Sequence, residues 1–147
     1  MFKERIKTHH SAMSEGKKYM VGMSTVEAVL GNDNCHGRQD ATIYVHVPFC
    51  NKICSFCNMR RSLRKPEADY SDLIVKEIEN YSRLPYIKNT VFDSVYFGGG
   101  TPTTLSGENL SCIVTELKEK LKFTADAEFS VETTVTELTD DKLDALV

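Results

Sequence analysis

Three closely spaced cysteines are the residues of this sequence best suited to chemistry. Cys50, Cys54 and Cys57 form a C-x3-C-x2-C pattern. Thiolates are soft ligands that select iron–sulfur clusters and zinc, and three at this spacing can converge on one centre. Such a dense group of soft ligands is seldom used for packing alone. The pattern therefore predicts a metal centre.

The number of available ligands distinguishes a zinc site from an iron–sulfur cluster. A structural zinc ion takes four protein ligands, so zinc at this loop would need His46, Cys35 or His36 to complete the set. A [4Fe-4S] cluster held by three cysteines keeps one iron open to an outside ligand. The ligand count favours the cluster, and zinc is the alternative.

The cysteine loop is expected at the carboxyl end of a β-strand over residues 42–47. This segment alternates, and its aliphatic face consists of Ile43, Val45 and Val47. In a parallel barrel that face would pack against helices, which leaves Tyr44 and His46 pointing inward beside the cysteines. Pro48 ends the strand because it has no backbone N–H for a central ladder.

A second motif, rich in glycine, follows a strand predicted at 91–97. Gly98, Gly99 and Gly100 lie directly before Thr101-Pro102. Glycine permits positive φ angles and lets a ligand approach the bare backbone. The motif is not a phosphate loop, because no Gly-Lys-Ser/Thr follows. It is expected to bind the polar head of a small molecule through its N–H and C=O groups.

The remaining elements alternate along the chain. A helix is predicted over 70–81 from its periodic apolar residues, and a third strand over 128–132. Another helix follows Ser106 as its cap, and a last one begins at Thr139. The stripe of the Ser106 helix consists of Leu110, Ile113, Val114, Leu117 and Leu121. This βαβαβα series predicts an α/β fold with a parallel sheet.

Taken together, these segments resemble the radical S-adenosylmethionine (SAM) enzymes, and more narrowly the oxygen-independent coproporphyrinogen III oxidase family. The resemblance covers the chain from about Ile43 to Val147. It rests on three blocks in the family's order: Tyr44-Val45-His46-Val47-Pro48-Phe49-Cys50, Cys54-Ser55-Phe56-Cys57 and Phe97-Gly98-Gly99-Gly100-Thr101-Pro102-Thr103.

The resemblance implies a cluster, a second cofactor and a reaction. Cys50, Cys54 and Cys57 would hold a [4Fe-4S] cluster whose fourth iron binds SAM. One electron would then cleave SAM to methionine and a 5′-deoxyadenosyl radical that abstracts hydrogen from a substrate. The residues at family positions that contact SAM are Tyr44, Phe56, Gly99, Gly100, Thr101 and Glu132.

The resemblance also implies a fold and a domain organisation. Radical SAM enzymes use a partial (β/α)6 TIM-like barrel, and residues 41–147 would supply its first three β/α units. Residues 1–40 are expected to form a weakly structured N-terminal extension. The chain is thus expected to be a truncated, N-terminal half of such a barrel, and inactive by itself.

The substrate implied is a porphyrin or haem-type tetrapyrrole, with an electron donor such as flavodoxin or ferredoxin. Two departures from the family pattern bear on this. The oxidases carry a further cysteine where this chain has Met59, and the family often has Asn-Pro where this chain has Thr134-Val135. The alternatives are a haem chaperone that binds haem without porphyrin turnover and an anaerobic haem-degrading radical SAM methyltransferase.

Composition excludes several other classes of protein. The chain has 147 residues, 41% of them hydrophobic, and a formal net charge of −3, which gives no basic surface for nucleic acid. No apolar run approaches the roughly 20 residues that span a bilayer. An odd number of cysteines, three of them clustered, argues against a disulfide framework. We expect a cytoplasmic protein.

Overall fold

A computed structural model of the protein describes residues 28–32, 41–58 and 61–146. The elements alternate between strands and helices, as the sequence predicts. They are β1 (Thr42–Val47), α1 (Tyr70–Ser82), α2 (Pro85–Asn89), β2 (Val91–Gly99), a 3-10 turn (Pro102–Thr104), α3 (Gly107–Lys120), β3 (Lys122–Val131) and α4 (Asp140–Leu146).

The three strands form one parallel sheet in the order β1-β2-β3. Their register places Tyr44 opposite Tyr96, and Tyr96 opposite Ser130. All three strands therefore end at the same edge, where the cysteine loop and the glycine motif follow β1 and β2. The predicted α/β fold with a parallel sheet is confirmed.

The core lies between the helices and the aliphatic face of the sheet. Val47 and Phe97 are fully buried there, and each such side chain stabilises the fold by about 1.5–3 kcal/mol. The other buried residues of this core are Val45, Ile78, Val95, Leu105, Leu110, Ile113, Val114 and Leu117. The opposite face of the sheet carries polar and aromatic side chains, so β1 is oriented as its alternation predicts.

Helix α3 confirms its predicted cap and stripe. The Ser106 side chain accepts a hydrogen bond from the Asn109 N–H at 3.2 Å, which satisfies one donor of the first turn. Leu121, which ends the helix, packs against the core with the rest of the stripe. Cys112, which lies off the stripe, is exposed.

Helix α1 departs from its predicted apolar stripe. Leu73 is 54% exposed, whereas Ser71 is buried. Tyr70 fixes the orientation of the helix: its hydroxyl donates to the His46 carbonyl at 3.0 Å, and its ring meets Phe49 edge-on at 4.8 Å. With the helix anchored in this way, Ser71 lies on its buried side and Leu73 on its exposed side.

The largest differences from the sequence prediction concern strand β3 and one short helix. Strand β3 begins at Lys122, six residues before the predicted start, because Phe123 pairs with Phe92 and packs on Phe129. The short helix α2 was not predicted; Pro85 occupies its first position, where no backbone N–H is needed.

Several predictions fall on residues outside the described ranges. Most of the predicted extension 1–40 does, although residues 28–30 are helical. Cys35, His36 and Met59 also lie outside them. No helix among the described residues is long and apolar enough to cross a membrane.

Candidate metal centre

The three cysteines lie on one loop that leaves the carboxyl end of β1. Cys50 is buried, and Cys54 and Cys57 are half-buried. The Cys57 N–H donates to the Cys54 carbonyl at 3.1 Å, which makes a turn between the two. Within the described ranges, no three His, Cys, Asp or Glu side chains are gathered closely enough to hold a metal ion. The three thiols thus lie on one loop, but in this structure they do not converge on a single point.

Both ends of the cysteine loop are fixed by a short parallel bridge between Phe49 and Ser62. The Cys50 N–H donates to the Ser62 carbonyl at 2.9 Å, and the Ser62 N–H donates to the Pro48 carbonyl at 2.7 Å. The chain after the cysteines therefore returns to the end of β1 at Ser62. Sequence analysis missed this pairing, because nothing local in Ser62 marks it as a strand residue.

The glycine motif packs directly on the start of the cysteine loop. The Gly100 N–H donates to the Val47 carbonyl at 2.8 Å, and the Thr101 N–H donates to the Phe49 carbonyl at 2.7 Å. These two N–H groups thus bind the protein's own backbone, and the expected binding of a small molecule by the motif stays a prediction. Their role in this structure is to dock the second loop on the first.

Gly100 is the position where this docking requires glycine. A Cβ atom there would lie 2.5 Å from the Phe49 oxygen and 2.9 Å from the Cys50 sulfur. Gly99 has a φ of +113°, which disfavours other residues, and a Cβ there would lie 2.7 Å from the His46 ring. The two motifs found in the sequence therefore meet with no room for a side chain between them.

Thr101 reaches the first cysteine with its side chain. Its hydroxyl donates a hydrogen bond to the Cys50 Sγ over 3.7 Å. Both residues are buried, so water competes little for either group. Thr101 is thus joined to the cysteine loop by both its backbone and its side chain.

A polar, aromatic cluster lies on the open face of the sheet beside these loops. Tyr96 donates from its hydroxyl to Glu132 Oε1 at 2.6 Å. Tyr44 stacks on Tyr96 with ring centroids 6.1 Å apart, and its hydroxyl oxygen lies 3.1 Å from His46 Nδ1. Glu132 itself is held at the end of β3, where its N–H donates to the Phe97 carbonyl at 2.9 Å.

The carboxylate of Glu132 perturbs both tyrosines of this cluster. The pKa of Tyr96 is raised above its ordinary value chiefly because its hydroxyl donates to Glu132. The pKa of Tyr44 is raised by desolvation and, to a lesser extent, by the negative charge of Glu132. Both phenols therefore stay neutral hydrogen-bond donors at neutral pH.

The structure brings most of the predicted SAM-contact residues to this edge of the sheet. Tyr96 contacts both Tyr44 and Glu132. Gly99 is the last residue of β2, and Gly100 and Thr101 follow it. Phe56 stands apart: it lies on the cysteine loop with its side chain 88% exposed. Tyr96 was not predicted as a site residue. Its place two residues before Gly98, on the polar face of β2, could have indicated it.

A second link joins the cysteine loop to the segment after β3. The Asn51 amide donates to Glu137 Oε1 at 2.6 Å. Both residues line a cavity of about 210 Å³ that also touches Cys54, Thr101 and Thr134. Asn51 and Glu137 were not predicted, because neither residue type nor spacing distinguishes them from other surface residues.

The residues present fit an iron–sulfur cluster and a small polar ligand. The loop offers three soft sulfur donors, and Gly100 places no side chain against the first of them. The open polar face beside it offers neutral phenols and a carboxylate for the charged groups of a ligand.

Comparison with known protein families identifies the superfamily of this chain. The radical SAM superfamily profile matches residues 44–147. The chain belongs to the radical SAM superfamily, a class of enzymes whose members in general use a [4Fe-4S] cluster and SAM.

Within that superfamily the chain is similar to enzymes of porphyrin metabolism. It is 35% identical over 105 residues to an anaerobilin synthase of Escherichia coli O157:H7, an alignment covering 70% of this chain and 24% of that protein. It is 37% identical over 108 residues to the oxygen-independent coproporphyrinogen III oxidase of Salmonella typhimurium, covering 71% and 23%. The chain therefore spans about a quarter of the length of these curated relatives.

A solved structure gives the same likeness. The chain superimposes on coproporphyrinogen III oxidase from Escherichia coli with a TM-score of 0.69 at 28% sequence identity, covering 86% of this chain and 29% of that one. The resemblance of the sequence to the oxygen-independent coproporphyrinogen III oxidase family, and the implied radical SAM barrel fold, are confirmed.

Proposed function

We propose that this chain carries the cofactor site of a radical SAM enzyme that acts on a tetrapyrrole. In this proposal Cys50, Cys54 and Cys57 hold a [4Fe-4S] cluster. The residues proposed to contact SAM are Tyr44, Phe56, Gly99, Gly100, Thr101 and Glu132. The observation that carries the proposal is the close docking of the glycine motif on the cysteine loop at Gly100.

When bound, the cluster and SAM together supply a one-electron cleavage that yields a 5′-deoxyadenosyl radical and methionine. The protein's residues would prepare the site for it. The buried Cys50 would fix one corner of the cluster, while the half-buried Cys54 and Cys57 would close around the other irons. An electron donor such as flavodoxin or ferredoxin would reach the cluster from outside.

The polar cluster on the open face would orient SAM. Glu132 carries a negative charge that suits a ligand ammonium group, and Tyr96 holds one of its oxygens through a 2.6 Å hydrogen bond. Tyr44 and Phe56 present aromatic surface suited to the adenine ring. The raised pKa of Tyr44 keeps its phenol neutral beside these charges.

The tetrapyrrole is proposed from the relatives rather than from a pocket of the described residues. The coproporphyrinogen III oxidases are named for a tetrapyrrole substrate, and the anaerobilin synthase is named for its product. The position of Met59, where the oxidases carry a further cysteine, favours a haem-directed relative over the oxidase itself.

A second candidate is a haem-binding chaperone. The chain is 31% identical over 100 residues to a heme chaperone of Buchnera aphidicola, covering 66% of this chain and 26% of that protein. Such a protein would bind haem without converting it.

One experiment separates these possibilities. The full-length protein is reconstituted anaerobically, reduced with dithionite and given SAM, with and without haem or coproporphyrinogen III, and 5′-deoxyadenosine and tetrapyrrole products are quantified. The proposal predicts 5′-deoxyadenosine formation that rises with a tetrapyrrole and new tetrapyrrole products. Haem binding in a titration with unchanged tetrapyrrole would assign the chaperone role. SAM left intact at full cluster occupancy would refute the proposal.

A further inference from the structure

Thr101 is placed to act on the first cysteine of the loop. We propose that Thr101, beside the SAM contact proposed for it above, is a positioning residue that sets the reduction potential of the cluster through its hydrogen bond to the Cys50 sulfur. This inference rests on the proposed function, because it requires the cluster. It adds a second role to the SAM contact that the family resemblance implies for Thr101.

The backbone of Thr101 is held by hydrogen bonds through both its N–H and its carbonyl. Its backbone N–H donates to the Phe49 carbonyl at 2.7 Å, and its carbonyl accepts from the Thr104 hydroxyl at 2.8 Å. A β-branched side chain has restricted χ1, so a fixed backbone also fixes the hydroxyl. The hydrogen bond to Cys50 Sγ over 3.7 Å is therefore a built contact.

Burial gives this hydrogen bond its effect. Thr101 is 6% exposed and Cys50 is 8% exposed, so little water reaches either group. In such surroundings a hydrogen bond is electrostatically stronger than in water. The hydroxyl also points at the protein's own sulfur and so is already used before any ligand binds.

The chemical consequence follows from charge. A [4Fe-4S] cluster gains one negative charge when it accepts an electron from an external donor, and the added charge is shared with the cysteine sulfurs. A donor hydrogen bond to one sulfur stabilises the reduced state more than the oxidised state. Thr101 would therefore raise the reduction potential and make the cluster easier to reduce.

The test is a redox titration of the reconstituted protein without SAM, followed by EPR. Thr101→Val keeps the shape and removes the donor, whereas Thr101→Ser keeps the hydroxyl. Thr90→Val is a matched control, because Thr90 is also buried and donates to the Tyr86 carbonyl at 2.7 Å at the amino end of β2.

The expected result is a more negative midpoint for Thr101→Val. At a fixed potential the ratio of reduced to oxidised cluster should fall on the order of tenfold, which is about 59 mV for a one-electron couple. Thr101→Ser and Thr90→Val should match the wild type. If the valine variant loses its iron, the pair Thr101→Ala and Thr101→Ser replaces it in the same titration.

Two outcomes would overturn the inference. One is a wild-type midpoint in the variants that lack the hydroxyl at full iron content. The other is a loss of SAM affinity with no change of midpoint, which would leave Thr101 with the SAM contact alone. Both leave the cluster in place, whereas a wild-type protein that loads no cluster would refute the proposed function itself.

Discussion

Gly100→Ala is the substitution expected to separate the two loops of the site. The new Cβ would lie 2.5 Å from the Phe49 oxygen, 2.8 Å from the Pro48 carbonyl carbon and 2.9 Å from the Cys50 sulfur. Two of these atoms belong to the backbone and cannot rotate away. The loops must therefore move apart, which stretches the hydrogen bonds from the N–H groups of Gly100 and Thr101.

The cost can be estimated from these contacts. Overpacking of this kind costs about 1–3 kcal/mol. The two hydrogen bonds contribute about 0.5–1.5 kcal/mol each when they are lost. The free energy of unfolding should thus fall by about 2–6 kcal/mol, and a fall near 3 kcal/mol would lower a urea midpoint by ~1.5 M at a slope of ~2 kcal/mol per M.

Gly98→Ala is the matched control in the same motif. Its Cβ would meet only side-chain atoms, Tyr96 Cε1 at 2.9 Å and Tyr44 Cε2 at 3.0 Å. Both rings lie on the open face and can rotate, so the free energy of unfolding should stay within about 1 kcal/mol of the wild type. Equal losses in the two variants would refute the idea that backbone contact at Gly100 docks the loops.

Three further substitutions test other parts of the structure. Ser106→Ala removes the cap of α3 and should lower the free energy of unfolding by about 0.5–2 kcal/mol in urea denaturation; no loss would show that the cap hydrogen bond is not formed. Tyr96→Phe tests the raised pKa of Tyr96, which means that the folded state loses stability as pH rises above the ordinary tyrosine value near 10. The variant should lose less stability between about pH 9 and 11 than the wild type, and an identical pH profile would argue against the hydrogen bond to Glu132. Thr139→Ala removes the hydrogen bond that is the main cause of the lowered pKa of Asp141. That pKa should rise toward its ordinary value in an NMR titration, and the stability that the wild type retains above this value and loses in acid should shrink; an unchanged pKa would exclude the contact.

Periodic patterns correctly predicted strands and helices whose buried face is marked by their own residues. Strand β1 has the predicted bounds because its alternation of aliphatic and polar residues is local. The stripe of α3 is buried for the same reason. The start of β3 was wrong because Ala125, Asp126 and Ala127 have little strand propensity, and the pairing of Phe123 and Glu128 with β2 on either side of them keeps the strand continuous.

The residue types of the two loops were predicted from the sequence, whereas the contacts between distant residues of the site were not. Cysteine spacing and the glycine motif identified both loops, because these residue types have few other uses in such a pattern. The bridge between Phe49 and Ser62, the hydrogen bond from Tyr96 to Glu132 and the docking of the glycine motif join residues distant in sequence. A single sequence holds no local signal for such pairs.

Iron bound per chain is the measurement that tests the central claim most directly. The wild type, the alanine variants of Cys50, Cys54 and Cys57, and Cys112→Ala as the exposed control are reconstituted anaerobically and assayed for iron, sulfide and zinc. We expect about four irons in the wild type and in Cys112→Ala, with a broad absorption band near ~400 nm, and loss of the cluster in the three loop variants. One zinc per chain with no iron retained, or equal loss of iron in Cys112→Ala, would contradict the assignment of the cysteine loop.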